Sequence, residues 1–183
     1  DRPLRRGVDG HGRMIGMRDR LGSMTMNRRI LLATRPDGLV TEANVRRVEE
    51  PVPEPAESEA LVRVLSLSVD PTNRVWMRER DSYLPAVQIG DVVRAAGVGQ
   101  VVASRNELYP EGSLVLGMAG WQDYWLLGAN DLANVVPPGI PIDDMLSIFG
   151  VTGLTAYFGL TAVAVPTPGE TVVVSGAAGG VGS

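Results

Sequence analysis

Thr171–Ser183 reads TVVVSGAAGGVGS, and this stretch decides the fold. Three consecutive valines suit a buried strand, and Gly176, Gly179 and Gly182 recur at intervals of three. The same residues also read A-x-G-x-x-G from Ala177. Glycine permits a tight turn and lets main chain approach a pyrophosphate, while a following helix would offer free N–H groups to that anion. A glycine-rich hairpin is the alternative, but the β-branched strand ahead of the turn favours phosphate binding. Ala178, Gly179, Gly180, Val181 and Gly182 are therefore candidate cofactor-binding residues.

Immediately upstream, PTPGE (166–170) ends a stretch rich in small residues, VTGLTAYFGLTAVAV. Ile148, Val151, Leu154, Thr155 and Phe158 fall near one helical face, which predicts a helix over 152–165. Asp143 or Asp144 is expected to cap the helical stretch that begins DDMLSIFG. Helix, Pro-Gly turn, β-branched strand and glycine turn together open a dinucleotide-binding βαβ unit. The sequence ends before the helix that should follow, so the chain is expected to be the front part of a longer protein.

Before Pro141 the texture is different. RRILLAT is a short apolar run, with a turn signal at Asp37–Gly38. VRRVEEPVPEP reads as a Pro- and Glu-rich connection. Ala60–Val69 is expected to be a largely buried strand, with Leu61, Leu65 and Leu67 on one side and Val62 and Val64 on the other. VVRAAGVGQVVAS (92–104) and SLVLGMAGWQDYWLL (113–127) each read as strand, Gly-marked bend and strand. Alternation along the second places Trp121 and Trp125 on one side and Tyr124 on the other, as barrel filling. Such short strands between turns predict a small barrel or sandwich.

Composition narrows the chemistry. The chain has 183 residues, 44% hydrophobic and 21% charged, which permits a sizeable core. With 22 Gly and 13 Pro, turns and short strands are favoured over a bundle. A formal charge of -4 leaves no basic footprint for nucleic acid, and no apolar run is long enough to span a membrane. There is no cysteine, which excludes disulfides, thiolate zinc sites and a cysteine nucleophile. The single histidine, His11, lies in an Arg- and Gly-rich stretch; residues 1–25 are expected to be a disordered extension. No metal site is predicted, and a cytoplasmic location is expected.

SVDPTNR (68–74), GVGQVVAS (97–104), GWQDYWL (120–126), GLTAYFGL (153–160) and PGETVVVSGAAGGVGS (168–183) occur in an order and spacing that carry a resemblance. The chain resembles the zinc-free leukotriene/prostaglandin reductase and alkenal double-bond reductase branch of the medium-chain dehydrogenase/reductase superfamily, from Met26 to Ser183. The resemblance implies a GroES-like catalytic domain over 26–141, followed over 142–183 by the incomplete start of a Rossmann domain. It also implies NADP(H) and reduction of the activated C=C bond of an enone or enal. A quinone substrate, or a binding protein that keeps the fold without turnover, is the alternative, and the full-length protein could be a homodimer.

The resemblance places Thr155 near the nicotinamide, where methionine is frequent four residues earlier; here that position is Val151. Tyr157 on the same helix reads as packing. Relatives often read D-P-Y-M-R where this chain has DPTNR, so the pocket tyrosine is replaced by Thr72, with Asn73 beside it. Thr72, Asn73, Trp76 and Tyr83 are the candidate substrate-pocket residues, with burial as the alternative for the two aromatics. Asp70 and Arg74 are expected to pin this loop by a salt bridge. No catalytic acid is assigned.

Overall fold

Strand β3 (Ala60–Leu67) is the hub of a five-stranded antiparallel sheet. The computed structural model describes residues 25–80, 83–128, 130–131 and 133–183, so the expected extension and His11 lie outside the described residues, save Thr25. In the order of the sheet, β6 (Tyr124–Leu127) flanks β3 on one side. On the other follow β4 (Gly97–Ser104), β5 (Leu114–Gly117) and β7 (Ala133–Val135). Ala60, Leu61 and Val62 are all buried, as a strand apolar on both sides requires. The burial does not extend along the whole strand, because Arg63 is exposed and Leu65 is 44% exposed.

The approach of β4 to β3 depends on glycine. A Cβ at Gly99 would lie 2.4 Å from Val62 Cγ1 and 2.6 Å from the Arg63 carbonyl oxygen. One at Gly97 would lie 2.8 Å from both Ala119 Cβ and Leu67 Cδ2.

The RRILLAT run forms β1 (Met26–Leu32), which pairs antiparallel with β2 (Val45–Pro51). The stretch read as a Pro- and Glu-rich connection is thus a strand for its first half. Its polar residues stay outside, and Arg29 meets Glu50 across the strands at 2.5 Å. Strand β1 also ties the hairpin to the rest of the barrel: Ile30 N–H donates to the Trp121 carbonyl at 2.8 Å and Val93 N–H to the Ile30 carbonyl at 2.9 Å.

Three apolar cores result among the described residues. One, around Val62, Val101, Val115, Trp125 and Leu127, fills the sheet. A second, with Leu32, Trp76, Met77, Val87 and Val93, lies under β1. The third joins Val98 and Val136 to Met145 of helix α2 (Ile142–Leu146). Trp121 and Trp125 therefore do not share a face. Gly120 takes a φ of +69° and Gln122 N–H closes a turn onto the Gly120 carbonyl, so the chain bends before β6 begins. Trp121 packs on the second core and Trp125 lies in the first.

Helix α2 is not capped by Asp143 or Asp144. Pro141 is the N-cap, and both carboxylates sit in the first turn, where the helix dipole favours them. The helix expected over 152–165 is present as α3 (Val151–Phe158), continued by a wider π turn over Gly159–Ala164 and ended by Val165 at a φ of +44°. No residue of α3 is buried. Thr171–Ser175 is not a strand: a strand exists through its ladder, and among the described residues no neighbour pairs with it. Val173 is 88% exposed. No helix among the described residues is long and apolar enough to cross a membrane.

Candidate functional site

The glycine turn keeps its shape without the strand ahead of it. Gly176 takes a φ of +62°, Gly179 N–H donates to the Gly176 carbonyl at 2.8 Å, and Gly182 and Ser183 N–H both donate to the Gly179 carbonyl. A Cβ on Gly182 would lie 2.5 Å from the Gly176 oxygen, so a side chain there would break the coil of main chain. The N–H groups of Ala178, Gly180 and Val181 have no protein acceptor among the described residues. Free main-chain donors on a turn closed by glycines are groups from which a phosphate can accept. Among the candidates, Gly179 and Gly182 build the turn, while Ala178, Gly180 and Val181 carry its free donors.

The turn rests on α3. A Cβ on Gly180 would touch Thr152 Cγ2 at 3.4 Å, and a cleft of about 480 Å³ lies between the two elements. Phe149, Leu154 and Tyr157 line its apolar side, Gly180 and Val181 the other. Thr155 stands exposed on α3, outside the cleft lining. Its hydroxyl donates to the Val151 carbonyl at 2.6 Å, which leaves the oxygen lone pairs available as an acceptor.

The DPTNR stretch forms a short helix, α1 (Pro71–Trp76). Asp70 is its N-cap rather than the partner of Arg74: its carboxylate accepts from Thr72 N–H at 3.0 Å, from the Thr72 hydroxyl and from the Ser68 hydroxyl at 2.8 Å. Asn73 Oδ1 accepts in return from Asp70 N–H at 2.7 Å, which completes a capping box. The Arg74 guanidinium instead donates to the Gly38 carbonyl. Aspartate followed by proline at the first helical position, with asparagine two residues on, is a helix-start signal that the sequence carried.

Of the four candidate pocket residues, Asn73 is 4% exposed and engaged at both ends of its amide, because Nδ2 donates to the Arg94 carbonyl at 2.8 Å. The Thr72 hydroxyl is held by Asp70. Trp76 belongs to the second core, and its ring meets Tyr83 edge-on at 6.2 Å between centroids. Tyr83 is 70% exposed. The Arg94 guanidinium lies over the Trp76 ring, 5.5 Å from its centre. Sequence reading did not single out Arg94, although the alternation of VVRAAG sets it apart from buried Val93 and Ala95. These residues form one cluster, and the cleft at the glycine turn takes no residue from α1.

A second cleft, of about 400 Å³, opens beneath the hairpin. Ile30, Leu67, Val69 and Trp121 line it, with the Arg28–Asp123 pair at its rim. That pair is bidentate, at 2.5 and 3.0 Å, and the Arg28 guanidinium holds the Asp123 carboxyl below the usual carboxylate range. Among the described residues no group of three or more His, Asp or Glu is placed to hold a metal ion.

Residues 28–135, more than half of the chain, match the family described as the N-terminal domain of oxidoreductase. The chain belongs to this family, within the zinc-free reductase branch of the medium-chain dehydrogenase/reductase superfamily, and its barrel is the GroES-like domain of that branch. It is similar to the NADPH-dependent curcumin reductase of Escherichia coli (strain K12), 40% identical over 157 residues that make up 86% of this chain and 46% of that protein. It is also similar to prostaglandin reductase 1 of Mus musculus, 35% identical over 80% of this chain and 44% of that one. CurA from Vibrio vulnificus, solved in complex with NADPH, superposes with a TM-score of 0.77 at 36% identity, covering 85% of this chain and 46% of that one. The chain thus spans about half the length of the relatives it matches.

Proposed function

We propose that these residues form the catalytic domain and the opening of the dinucleotide-binding domain of an NADPH-dependent reductase that saturates the activated C=C bond of an α,β-unsaturated ketone or aldehyde. The observation that carries this reading is the glycine turn with its free N–H donors, seated on the helix that bears Thr155, in a chain 40% identical to an NADPH-dependent reductase. NADPH, when bound, supplies the hydride.

This chain's residues have three tasks in the reading. The N–H groups of Ala178, Gly180 and Val181 hold a phosphate of the cofactor. Thr155 Oγ1, its own proton engaged by the Val151 carbonyl, accepts from the carboxamide NH2 and so fixes which ring face meets the substrate. The α1 segment and Tyr83 border the substrate, with Trp76 beneath them. Reduction then places hydride on the β-carbon and a proton on the α-carbon, and the enolate between these events needs hydrogen-bond donors.

The test is to express in full the open reading frame that carries these residues and to follow NADPH oxidation with a simple enone and with a benzoquinone. The expected result is enone-dependent oxidation yielding the saturated ketone. Turnover of the quinone alone would replace the reading with a quinone reductase. Tight NADPH binding without turnover of either would replace it with a binding protein.

A further inference from the structure

We propose that Arg35 is a positioning residue: from the connection between β1 and β2 it clamps both ends of the segment that carries Tyr83, and so sets the substrate side of the site; the inference rests on the reductase reading above. Its guanidinium bridges two main-chain carbonyls. Nη1 donates to the Met77 carbonyl at 2.8 Å and to the Val87 carbonyl at 2.5 Å. These two residues bracket the segment that leaves α1 and passes Tyr83. The bracket is closed a second time where Val87 N–H donates to the Trp76 carbonyl at 2.8 Å. Met77 and Val87 are both buried in the second core, and among the described residues neither carbonyl has another donor. A buried carbonyl without a donor is unfavourable, so removal of the guanidinium would drive the ends of the segment apart until water reaches them.

The clamp stands on a fixed base. Ala33 and Thr34 N–H both donate to the Asn44 carbonyl, Asn44 Nδ2 donates to the Thr34 hydroxyl oxygen, and Pro36 beside Arg35 is buried. A second arginine ties the same two parts of the chain from the other side, because Arg74 of α1 donates to the Gly38 carbonyl. No acid accounts for the Arg35 charge: the ion pairs among the described residues are Arg28–Asp123, Arg29–Glu50 and Arg47–Glu49. Its Nε is buried with no acceptor among the described residues, so the two carbonyls are what hold the cation in place. One guanidinium nitrogen carries two hydrogens at a fixed angle, which suits it to span two carbonyls. Tyr83 meets the core residue Trp76 edge-on from this segment, so the clamp at its neck sets where Tyr83 stands against α1. The cleft at the glycine turn takes no residue from the segment, so the effect of Arg35 falls on substrate rather than on cofactor.

The protein expressed from its full reading frame is assayed with a simple enone, or with a benzoquinone if that is what it turns over. Arg35→Met, which keeps an unbranched stem and removes the donors, should raise the substrate KM by about fivefold or more, with kcat within about twofold and NADPH affinity unchanged. Arg35→Lys, which keeps a cationic donor, should recover part of the loss. In parallel, trypsin cleavage of the native protein after Arg78 and Arg80, read by mass spectrometry, should quicken about tenfold in Arg35→Met. Asn27→Ala is the control for general loss of stability, because it breaks the bonds of that side chain to the Tyr124 main chain in β6 and should leave the substrate KM unchanged. An unchanged KM in Arg35→Met, a raised KM with unchanged cleavage, or the same rise in Asn27→Ala would overturn the inference while leaving the reductase reading intact. If neither substrate is reduced, the reductase reading fails, and the trypsin rates decide the clamp on their own. Faster cleavage in Arg35→Met that Arg35→Lys reverses would keep it; equal cleavage in all three proteins would end it.

Discussion

Asn27 closes both main-chain groups of Tyr124. Its Nδ2 donates to the Tyr124 carbonyl and its Oδ1 accepts from the Tyr124 N–H, each at 2.9 Å, so one side chain pairs with the edge of β6 as a strand would. Asn27 is 4% exposed, and water cannot replace it. Asn27→Ala should destabilise the fold by on the order of 2–4 kcal/mol, because two buried main-chain groups lose their partners. Asn27→Asp should be no better, since a carboxylate can accept from the N–H but faces the carbonyl without a donor. Urea unfolding monitored by far-ultraviolet circular dichroism measures both; a loss below about 0.5 kcal/mol would mean that the strand edge finds another partner.

A second expectation concerns acid. The Asp123 carboxyl is held below its ordinary range, first by its hydrogen bond to Arg28, with burial opposing. A group whose folded pKa lies below its unfolded value adds stability above the unfolded pKa and loses it as pH falls through the folded one. Wild-type protein should therefore lose a small increment between about pH 5 and pH 3 that Asp123→Asn lacks. The pair is largely exposed, so 0.5 M salt should shrink the difference. Parallel pH profiles for the two proteins would show that the ion pair contributes nothing.

The glycine turn gives a third. A Cβ on Gly179 would lie 3.1 Å from the Gly176 oxygen, and in the proposed reading this turn holds a phosphate of the cofactor. Gly179→Val in the protein expressed from its full reading frame should weaken NADPH binding at least tenfold while the thermal midpoint changes by only a few degrees. Fluorescence titration of NADPH reads the first and calorimetry the second. Unchanged affinity would make the turn structural.

Thr155→Val is the fourth. Valine keeps the β-branching and the shape of the exposed position but removes the oxygen that would accept from the carboxamide. Loss of one orienting hydrogen bond should lower kcat by about fivefold, on the order of 1 kcal/mol, with little change in NADPH affinity. Equal kinetics in both proteins would leave Thr155 as a helix residue whose hydroxyl serves only the Val151 carbonyl.

The fifth concerns residues 148–183, where Phe149, Val151, Leu154, Phe158 and Val172–Val174 are all exposed. The 183-residue chain by itself should self-associate in light scattering, and residues 26–147 should do so much less. The cut falls after Ser147 because α2 shares a core with Val98 and Val136 and has to remain with the barrel.

Several elements were legible in the residues themselves. Apolar runs bounded by turns gave β1, β3, β4, β5 and β6, because a strand that fills a core has to be apolar along most of its length. Strand β2 was hidden: Arg46, Arg47, Glu49 and Glu50 look like a loop until the cross-strand partner is known, since on an edge strand the pairing is made by main chain. The stretch Thr171–Ser175 erred the other way, for its valines state a propensity that only neighbouring strands can realise. At the site, the glycine turn followed from its spacing, whereas the stacking of Arg94 on Trp76 joins residues 18 apart through a loop that no local pattern describes. Asp70 was visible as a charge but misassigned, because ion pairing with Arg74 and capping of α1 make similar demands on sequence.

The bend at Gly120 that parts Trp121 from Trp125 also divides the molecule's optical labels. Trp125 reports on the sheet core, while Trp76 and Trp121 both report on the core beneath β1. The indole N–H groups of the latter two are buried without an acceptor among the described residues, so their emission should lie to the blue and shift strongly when water reaches them. Each of these two cores thus carries its own chromophores, and the order in which they admit solvent is written into the fluorescence of the natural sequence.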